Sequence, residues 1–136
     1  MSDTNLFSAA NRGVITQKNN GSFLVTGESG SRSCVVSARL RRETGGELAV
    51  GDEVNLDAAG QIDALLPRRN WISRRAAAPM PGARTHEQLI AANIDQVVPV
   101  FAAASPKPAW NLLDRYLVSA EAAEIPALVL VTKLDL

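Results

Sequence analysis

Four residues near the end of the chain, Thr132-Lys133-Leu134-Asp135, have the types and order of a base-reading loop. The carboxylate of Asp135 can accept two hydrogen bonds, from the N1–H and the exocyclic amino group of guanine. Adenine offers neither donor there, and leaving the carboxylate unpaired costs roughly a few kcal/mol. The Lys133 stem can lie across the base plane, and the Thr132 hydroxyl can meet the base edge or stabilise the loop. The candidate guanine-binding residues are therefore Thr132, Lys133 and Asp135.

The same four residues also fit an ordinary polar turn after a strand, which is a common arrangement. The binding interpretation gains support because the loop follows an apolar segment, 127–131. In open α/β sheets, ligands bind just beyond the carboxyl ends of strands. The sequence contains no phosphate-binding motif of the form G-x-x-x-x-G-K-[ST]. It therefore offers a candidate contact for a guanine base and none for the phosphates.

Nucleophiles and metal ligands are too few to define a second chemical site. Cys34 and His86 are the only cysteine and the only histidine in the chain, so no internal disulfide and no Cys/His zinc cluster can form. Cys34 lies in an apolar run and is expected to be a small buried residue. Glu121 and Glu124 are expected on the solvent face of a helix. We expect no catalytic residue and no metal ligand in this chain.

Arginines concentrated in the first half form the second candidate site. A guanidinium group suits phosphate contacts because it can pair with two oxygens at once. Aromatic platforms are sparse, with Phe23 and Trp71 as candidates, and this favours recognition of folded RNA by backbone and shape. The alternative is a solvated arginine surface with no partner. The candidate RNA-binding residues are Arg39, Arg41, Arg42, Arg68, Arg69, Arg74 and Arg75, and Arg84 extends the set into the following segment.

The elements that would position the guanine loop are a strand, a helix and a second strand. Residues 94–104 form a continuous apolar run, typical of a strand buried on both faces. Residues 110–124 carry apolar side chains at helical spacing, and Asn111 can cap the helix start. Residues 127–131 predict a second buried strand. This order is one right-handed crossover unit of an α/β sheet, with strand edges left uncovered.

The first half has the pattern of short strands separated by turn residues. Five such strands with no helical pattern between them predict a small barrel. A barrel of the oligonucleotide/oligosaccharide-binding (OB) type fits the length, and an SH3-like barrel is the nearest alternative. Residues 73–86, rich in Ala, Pro, Gly and Arg, are interpreted as a linker or loop. The predicted strands are 13–17, 22–27, 32–40, 52–58 and 60–66.

Composition and charge fit a folded protein with two modules. Apolar residues make up 46% and charged residues 21%, which excludes a disordered composition. Residues 1–85 carry eleven Lys/Arg and eight Asp/Glu, whereas residues 86–136 carry three and six. The net charges of +3 and −3 cancel, and the split indicates modules with different partners. No apolar run is long enough to span a bilayer and no signal peptide is evident, so we expect a cytoplasmic monomer without a membrane partner.

At residues 88–136 the sequence resembles the circularly permuted GTPases that act on the small ribosomal subunit, the RsgA/YjeQ family. The resemblance rests on the IAAN-D-V segment, the LLDRYLV helix and the strand that leads into TK-D, all in order. Residues 13–70 resemble the N-terminal OB barrel of that family, including VGDEV (50–54) and PRRN (67–70). The resemblance therefore covers nearly the whole chain.

The resemblance implies a fold class, which is a five-stranded OB-fold β barrel followed by a partial α/β P-loop GTPase domain. The implied boundaries are 1–72 for the barrel, 73–86 for the linker and 87–136 for a strand–helix–strand start of the GTPase domain. In this family the guanine motif precedes the phosphate loop because the GTPase is permuted. The phosphate loop, the switch regions and a zinc-binding C-terminal domain come later in the family's chains. We expect a chain truncated after the guanine motif, and inactive alone.

The resemblance also implies a function, cofactors and partners. Its members are GTP hydrolases that use GTP with Mg²⁺, bind the small ribosomal subunit and its rRNA, and assist late maturation of that subunit. Two residues depart from the pattern: Thr132 stands where many GTPases have Asn, and Pro99 interrupts a strand whose ladder needs an N–H. One alternative function is a stand-alone OB-fold RNA-binding module without a nucleotide role. Another is a translation-factor-like OB protein in which the TKLD match is accidental.

Overall fold

The computed structural model describes residues 11–76, 80–81 and 86–136. Residues 1–10, 77–79 and 82–85 lie outside the described residues, and so do Arg84 and part of the predicted linker. Within the described part, the chain forms three sheets and two helices.

A five-stranded antiparallel sheet occupies the first half of the described chain. Its strands are β1 (Arg12–Lys18), β2 (Phe23–Gly27), β3 (Gly30–Cys34), β4 (Glu53–Leu56) and β5 (Ile62–Leu65). They lie in the order β3-β2-β1-β4-β5, and β1 carries a register shift between Ile15 and Gln17. Four predicted strands are confirmed: β1 extends one residue beyond 13–17 at each end, and the strands predicted at 22–27, 52–58 and 60–66 are shorter than predicted. The sequence predicted a small barrel, and the described residues of the first half form one sheet around a single core, in which β4 pairs with β1 and not with β3.

The core of this sheet is built from alternating strand residues together with side chains from the connections. Ile15, Val54 and Ile62 are fully buried on three strands, and Leu48 is fully buried between them. Burying each such side chain contributes about 1.5–3 kcal/mol. Cys34 is also buried, as the sequence predicted, and burial raises the pKa of its thiol.

The two outer strands of the sheet approach each other at one point. Val36, just after β3, forms a parallel bridge with Ile62. Two backbone hydrogen bonds accompany it, from Ser37 N to the Ile62 carbonyl and from Ile62 N to the Val35 carbonyl, both at 2.9 Å. The contact is an isolated bridge and not a ladder, so the described residues form a curved sheet and not a closed barrel.

A short helix, α1 (Ala38–Thr44), stands where the sequence predicted the end of a strand at 32–40. That prediction was wrong beyond Cys34. Ser37 caps the helix, because its side chain accepts a hydrogen bond from Leu40 N, and Gly45 ends it with a φ of 68°. The Val35-Val36 pair favoured a strand, but Ser37 begins a new element directly after it. Leu40 is the one buried residue of α1, so the helix leaves little apolar periodicity in the sequence.

A hairpin-like pair of strands flanks the predicted linker and includes its first three residues. Strand β6 (Trp71–Arg75) pairs antiparallel with β7 (Glu87–Ala92), from Trp71 opposite Ala92 to Arg75 opposite Glu87. The predicted linker at 73–86 therefore begins inside a strand. The pairing joins residues that are distant in sequence, and no apolar alternation marked β6, which carries Ser73, Arg74 and Arg75.

The last part of the chain forms the predicted strand–helix–strand unit. It contains β8 (Val100–Ala102), α2 (Trp110–Ala122) and β9 (Leu130–Thr132), and the two strands pair in parallel. The predicted strand at 94–104 is confirmed only over β8, and an isolated bridge joins Val97 to Ala127. By this register, an N–H at position 99 would donate to the Leu128 carbonyl, and Pro99 cannot supply it. The ladder is interrupted there, as the departure at Pro99 predicted.

Two expectations about this unit were wrong. Both strands were predicted to be buried, yet every residue of β9 is exposed and Val100 of β8 is 59% exposed. The sheet has two strands and one packed helix in the described chain, so much of its surface has no cover. Asn111 was predicted to cap α2, but the helix begins one residue earlier with Ala109 as its cap and no side-chain cap bond. The Asn111 side chain accepts instead from the adjacent Leu112 N at 3.0 Å.

None of the helices in the described part of the chain is long and apolar enough to cross a membrane.

Candidate guanine loop and candidate RNA interface

The predicted guanine loop leaves the sheet at the carboxyl end of β9. Thr132 is the last residue of that strand, and Lys133 has a φ of 56°, which turns the chain sharply away from the sheet direction. Asp135 follows in the turn and is exposed. The three candidate residues therefore lie where parallel strands present ligand-binding loops.

Hydrogen bonds connect this loop to β8 and to the residues that follow it. The Thr132 hydroxyl donates to the Phe101 carbonyl at 3.4 Å, and Ala103 N donates to the Thr132 carbonyl at 2.8 Å. The Lys133 ammonium donates to the Ser105 carbonyl. The carboxyl ends of the two parallel strands thus share one loop cluster. The Asp135 side chain is exposed and makes no hydrogen bond to another described residue.

Arg68 is the most firmly held of the predicted RNA-binding arginines. Its Nε and Nη2 donate to the two carboxylate oxygens of Asp52 at 2.7 and 2.8 Å. Asp52 is fully buried and also accepts from Ala49 N at 2.9 Å. The hydrogen bond to Asp52 raises the pKa of Arg68 above its ordinary value. Arg68 therefore compensates a buried charge within the first sheet, and its guanidinium has little freedom to meet phosphate.

Arg69, its neighbour, points to the other half of the chain. The Arg69 guanidinium donates to the Asp95 carboxylate at 2.9 Å and to the Asn93 carbonyl at 3.2 Å. Both Arg69 and Asp95 are well exposed, so this ion pair contributes at most about 1 kcal/mol. Arg69 can exchange this partner for a phosphate at low cost.

Arg39, at the start of α1, is paired with acidic side chains. It donates to the Asp63 carboxylate at 3.1 Å, to the Asp63 carbonyl at 2.8 Å and to Glu43 at 3.4 Å. Ser37 also donates to Asp63 at 3.0 Å. The hydrogen bond from Arg39 lowers the pKa of Asp63, with a smaller contribution from Ser37. The same bond to Asp63 raises the pKa of Arg39.

The remaining predicted arginines are exposed and lie in two places. Arg41 and Arg42 occupy the last turn of α1, where cations are favoured by the helix dipole. Arg74 and Arg75 lie on β6, and Arg74 donates to the Gln88 side chain at 3.0 Å. In the part of the chain that the structure describes, Arg41, Arg42 and Arg75 have no ion-pair partner. The seven arginines thus lie on three parts of the chain: α1, the 68–69 segment and β6.

A joint between the first sheet and the β6–β7 pair was missed by the sequence reasoning. Asn70 and Ile94 exchange two hydrogen bonds, from Ile94 N to Asn70 Oδ1 at 2.7 Å and from Asn70 Nδ2 to the Ile94 carbonyl at 2.8 Å. Asn93 donates through Nδ2 to the Gly51 carbonyl at 2.9 Å and accepts from Arg69 N at 2.8 Å. The two asparagines thus connect the 67–70 and 90–95 segments to the turn before β4.

Gly51 is the close-packed point of this joint. Its φ is 93°, and a Cβ at this position would lie 1.9 Å from the Ala92 carbonyl oxygen. Ala92 N in turn donates to the Val50 carbonyl at 2.9 Å. Only glycine fits here without displacement of the backbone. The asparagines of PRRN and IAAN were a sequence signal for this joint, but they were interpreted only as residues shared with the family and not as contacts.

The described residues contain no group of three or more His, Cys, Asp or Glu side chains placed to hold a metal ion. No residue of the described chain is therefore assigned to Mg²⁺ or zinc. The guanine base is the one part of the expected cofactor for which this chain supplies a candidate contact.

Comparisons with known proteins agree on one family. The family model described as RsgA GTPase matches residues 65–136, the segment that runs from β5 through the loop at Asp135. A small ribosomal subunit biogenesis GTPase RsgA of Gemmatimonas aurantiaca is 41% identical over 133 residues, which cover 91% of this chain and 42% of that protein. The protein of the same name from Chlorobaculum parvum is 35% identical and likewise covers 91% of this chain, and 43% of its own length is matched.

Two solved structures have a similar fold. YloQ, described as a circularly permuted GTPase, superposes with a TM-score of 0.62 at 27% identity, over 92% of this chain and 41% of that one. YjeQ from Thermotoga maritima gives a TM-score of 0.68 at 24% identity, over 92% of this chain and 42% of that one.

The fold is shared with these two structures, and the family model matches the second half of the chain. The chain belongs to the RsgA GTPase family. It spans about two fifths of the length of the curated relatives it matches.

Proposed function

We propose that this chain is the N-terminal part of a GTPase that binds the small ribosomal subunit and assists its late maturation. The observation that carries the proposal is the position of Thr132, Lys133 and Asp135. They lie at and just beyond the carboxyl end of β9, within the segment that matches the RsgA GTPase family. The curated relatives named small ribosomal subunit biogenesis GTPase support the assignment of the partner.

The first half is proposed to be an open barrel of the OB type, with a first module at 1–72 and a GTPase portion from 87 onward. Three features support this: the strand order β3-β2-β1-β4-β5, the parallel bridge between Val36 and Ile62, and α1 placed between β3 and β4. Residues 73–86 then separate the two modules in sequence, although β6 and β7 pair across them. The second module is proposed to be the opening β8–α2–β9 unit of the P-loop GTPase domain.

The first module is proposed to contact rRNA through the exposed arginines. Arg41 and Arg42 on α1 and Arg75 on β6 are free to meet phosphates, since they have no acidic partner within the described residues. Arg69 and Arg74 hold only exposed polar partners. Phosphate contacts by such side chains are expected to weaken steeply as salt rises.

The second module is proposed to read guanine, with Asp135 accepting from the base and Lys133 lying beside it. GTP would bring Mg²⁺ with its phosphates, and these contacts would come from other parts of a full-length relative. The absence of a phosphate-loop motif from the 136 residues supports weak nucleotide binding and no hydrolysis by this chain alone.

Co-sedimentation with isolated ribosomal subunits tests the partner assignment. The 136-residue chain should pellet with small subunits at low salt and not with large subunits at the same concentration. Equal recovery with both subunits would indicate general attraction to RNA and would contradict the proposal.

Nucleotide binding is tested separately by NMR titration of the chain with GDP and with ADP at millimolar concentration. GDP should shift the amide signals of residues 132–136, and ADP should leave them unchanged. The Asp135→Ala variant should lose the GDP response, whereas Asp114→Ala, an exposed acid on α2, should keep it. Equal responses to the two nucleotides would remove the guanine assignment.

A further inference from the structure

A cavity of about 530 Å³ lies beside the joint, between the β6–β7 pair and the end of α2. One wall is formed by the first residues of β6 and the start of β7. The other wall is formed by the last turn of α2 and the residues after it. The volume is in the range of ligand pockets, and neither the guanine loop nor the free arginines of α1 contribute to it.

Three side chains give this cavity its chemical character. Trp71 lines it and is 53% exposed, so its ring can contact a ligand. Glu87 and Glu124 line it from opposite walls and are both exposed. Glu87 accepts from the Ser73 hydroxyl at 2.5 Å through one oxygen, Oε1. Glu124 has no ion-pair partner among the described residues.

The carboxyl end of α2 adds further negative potential. Its last residues, Ala122 and the cap Ala123, line the cavity. The carboxyl end of a helix carries a partial negative charge, which cations compensate. The last turn of α2 contains no basic residue of its own, so this compensation is missing from the helix itself.

The cavity has one basic residue among its lining side chains, and that residue already has hydrogen-bond partners. Arg69 lines it, but its guanidinium is bonded to Asp95 and to the Asn93 carbonyl. Two carboxylates and the carboxyl end of α2 therefore line the cavity together with one arginine, which is paired with Asp95. The carboxylates outnumber the arginine among the lining residues, so the cavity favours a further cation.

We propose that this cavity binds an arginine or lysine side chain from a basic protein segment. The cation would stack on the Trp71 ring and pair with Glu87 and Glu124 near the carboxyl end of α2. The chain would then have two contact surfaces of opposite charge, one for phosphate and one for a basic protein. This inference does not depend on the guanine assignment.

Tryptophan fluorescence provides a direct test, because the chain contains two tryptophans and Trp110 can be replaced by Phe. In the Trp110→Phe background, an oligo-arginine peptide is titrated at low salt and the Trp71 emission is followed. The peptide should change the emission in a saturable way. The Glu87→Gln/Glu124→Gln double variant should weaken binding about five- to tenfold. Glu28→Gln, an exposed acid on the turn between β2 and β3, should leave binding unchanged.

A second arm distinguishes a protein cation from nucleic acid. Added in the absence of the peptide, a single-stranded oligouridine should not change the Trp71 emission. If oligouridine gives the saturable change, the cavity is a base-stacking site and the proposal is overturned. The proposal also fails if the double variant binds the peptide as tightly as Glu28→Gln does. Circular dichroism of each variant confirms that a lost response does not reflect unfolding.

Discussion

The Asp52 carboxylate is fully buried and is held by three hydrogen bonds, two from Arg68 and one from Ala49 N. A buried charge of this kind is tolerated only when it is paired. Glu53, the residue after Asp52, forms a comparable ion pair with Arg12, but both of these side chains are partly exposed. The two arginines therefore offer a matched comparison of a structural pair with a surface pair.

Replacement of Arg68 by alanine is expected to cost about 3 kcal/mol or more of unfolding free energy, because it leaves the Asp52 charge buried and unpaired. The matched Arg12→Ala variant should cost less than about 1 kcal/mol. Urea unfolding of the two variants and the parent chain measures the difference. If Arg68→Ala were as stable as Arg12→Ala, the structural assignment of Arg68 would be wrong and its RNA role would gain weight.

The ionisation of Asp63 makes the folding stability of the chain depend on pH in the acid range. Arg39 and Ser37 lower its pKa in the folded chain, so the unfolded chain takes up the proton first as the pH falls. The stabilisation by Asp63 is therefore present at neutral pH and is lost below about pH 4. The Asp63→Asn variant should be less stable than the parent at pH 7, and the gap should shrink as the solution is acidified. Urea midpoints that differ by the same amount at pH 7 and pH 3 would contradict this.

At the scale of elements, the feature with the largest consequence is the joint formed by Gly51, Asn70 and Asn93. Backbone and side-chain hydrogen bonds there connect the first sheet to the β6–β7 pair. Gly51 contacts the Ala92 carbonyl so closely that no side chain fits. The joint therefore fixes where the end of β7 lies against the first sheet, before the chain continues to β8.

Gly51→Ala should disrupt the joint, because the new methyl group would meet the Ala92 carbonyl at a distance no real contact shows. Gly21→Ala is the matched control, since Gly21 also has a positive φ, at 85°, but nothing lies within 4 Å of its would-be Cβ. Both variants lose about 1 kcal/mol for the left-handed backbone. Gly51→Ala should lose clearly more, and should exchange the amide protons of Ala92 and Asn93 faster. Equal losses would mean that the joint is not a constraint.

Local patterns predicted the elements whose signals lie within one segment. Strands β1, β2, β4 and β5 and helix α2 were predictable because turn residues or helical spacing mark them directly. Helix α1 was missed because it follows Val35-Val36 without a break and buries only Leu40. Strand β6 was missed because its partner, β7, lies beyond residue 86 and its own residues are mostly polar.

The candidate site was predictable to a different degree in its two parts. The guanine loop lies at a strand end, where the sequence placed it, although its ligand role is still a prediction. The arginine set could not be sorted from sequence, because pairing with Asp52, Asp63 and Asp95 depends on contacts between distant residues. Only the structure shows that Arg41, Arg42 and Arg75 have no ion-pair partner among the described residues.

At the scale of the whole molecule, the two halves differ in how well they are covered. The first sheet has a continuous buried core around Ile15, Val54 and Ile62. In the β8–α2–β9 unit, by contrast, Ala120 and Ile125 are the buried residues among those described, and large apolar side chains such as Val100 and Leu130 are exposed. Stability is expected to be uneven along the chain.

Hydrogen exchange of the 136-residue chain should show this difference. Amides of β1, β2 and β4 should exchange slowest, and those of β8, α2 and β9 should exchange by a separate opening of lower free energy. Uniform protection across both halves would contradict the expectation and would show that the second unit is stabilised by contacts not apparent from its burial.

The most direct test of the proposed function is co-sedimentation with isolated small ribosomal subunits across a salt series, comparing two double variants that lose the same charge. Arg41→Ala/Arg42→Ala removes two free arginines from α1, and Lys107→Ala/Arg115→Ala removes two exposed cations from the second unit. We predict that the first variant binds more weakly and that the slope of log affinity against log salt falls by about one for each lost phosphate contact. The second variant should bind like the parent chain. Equal binding by both variants, or no binding of the parent at low salt, would contradict the account.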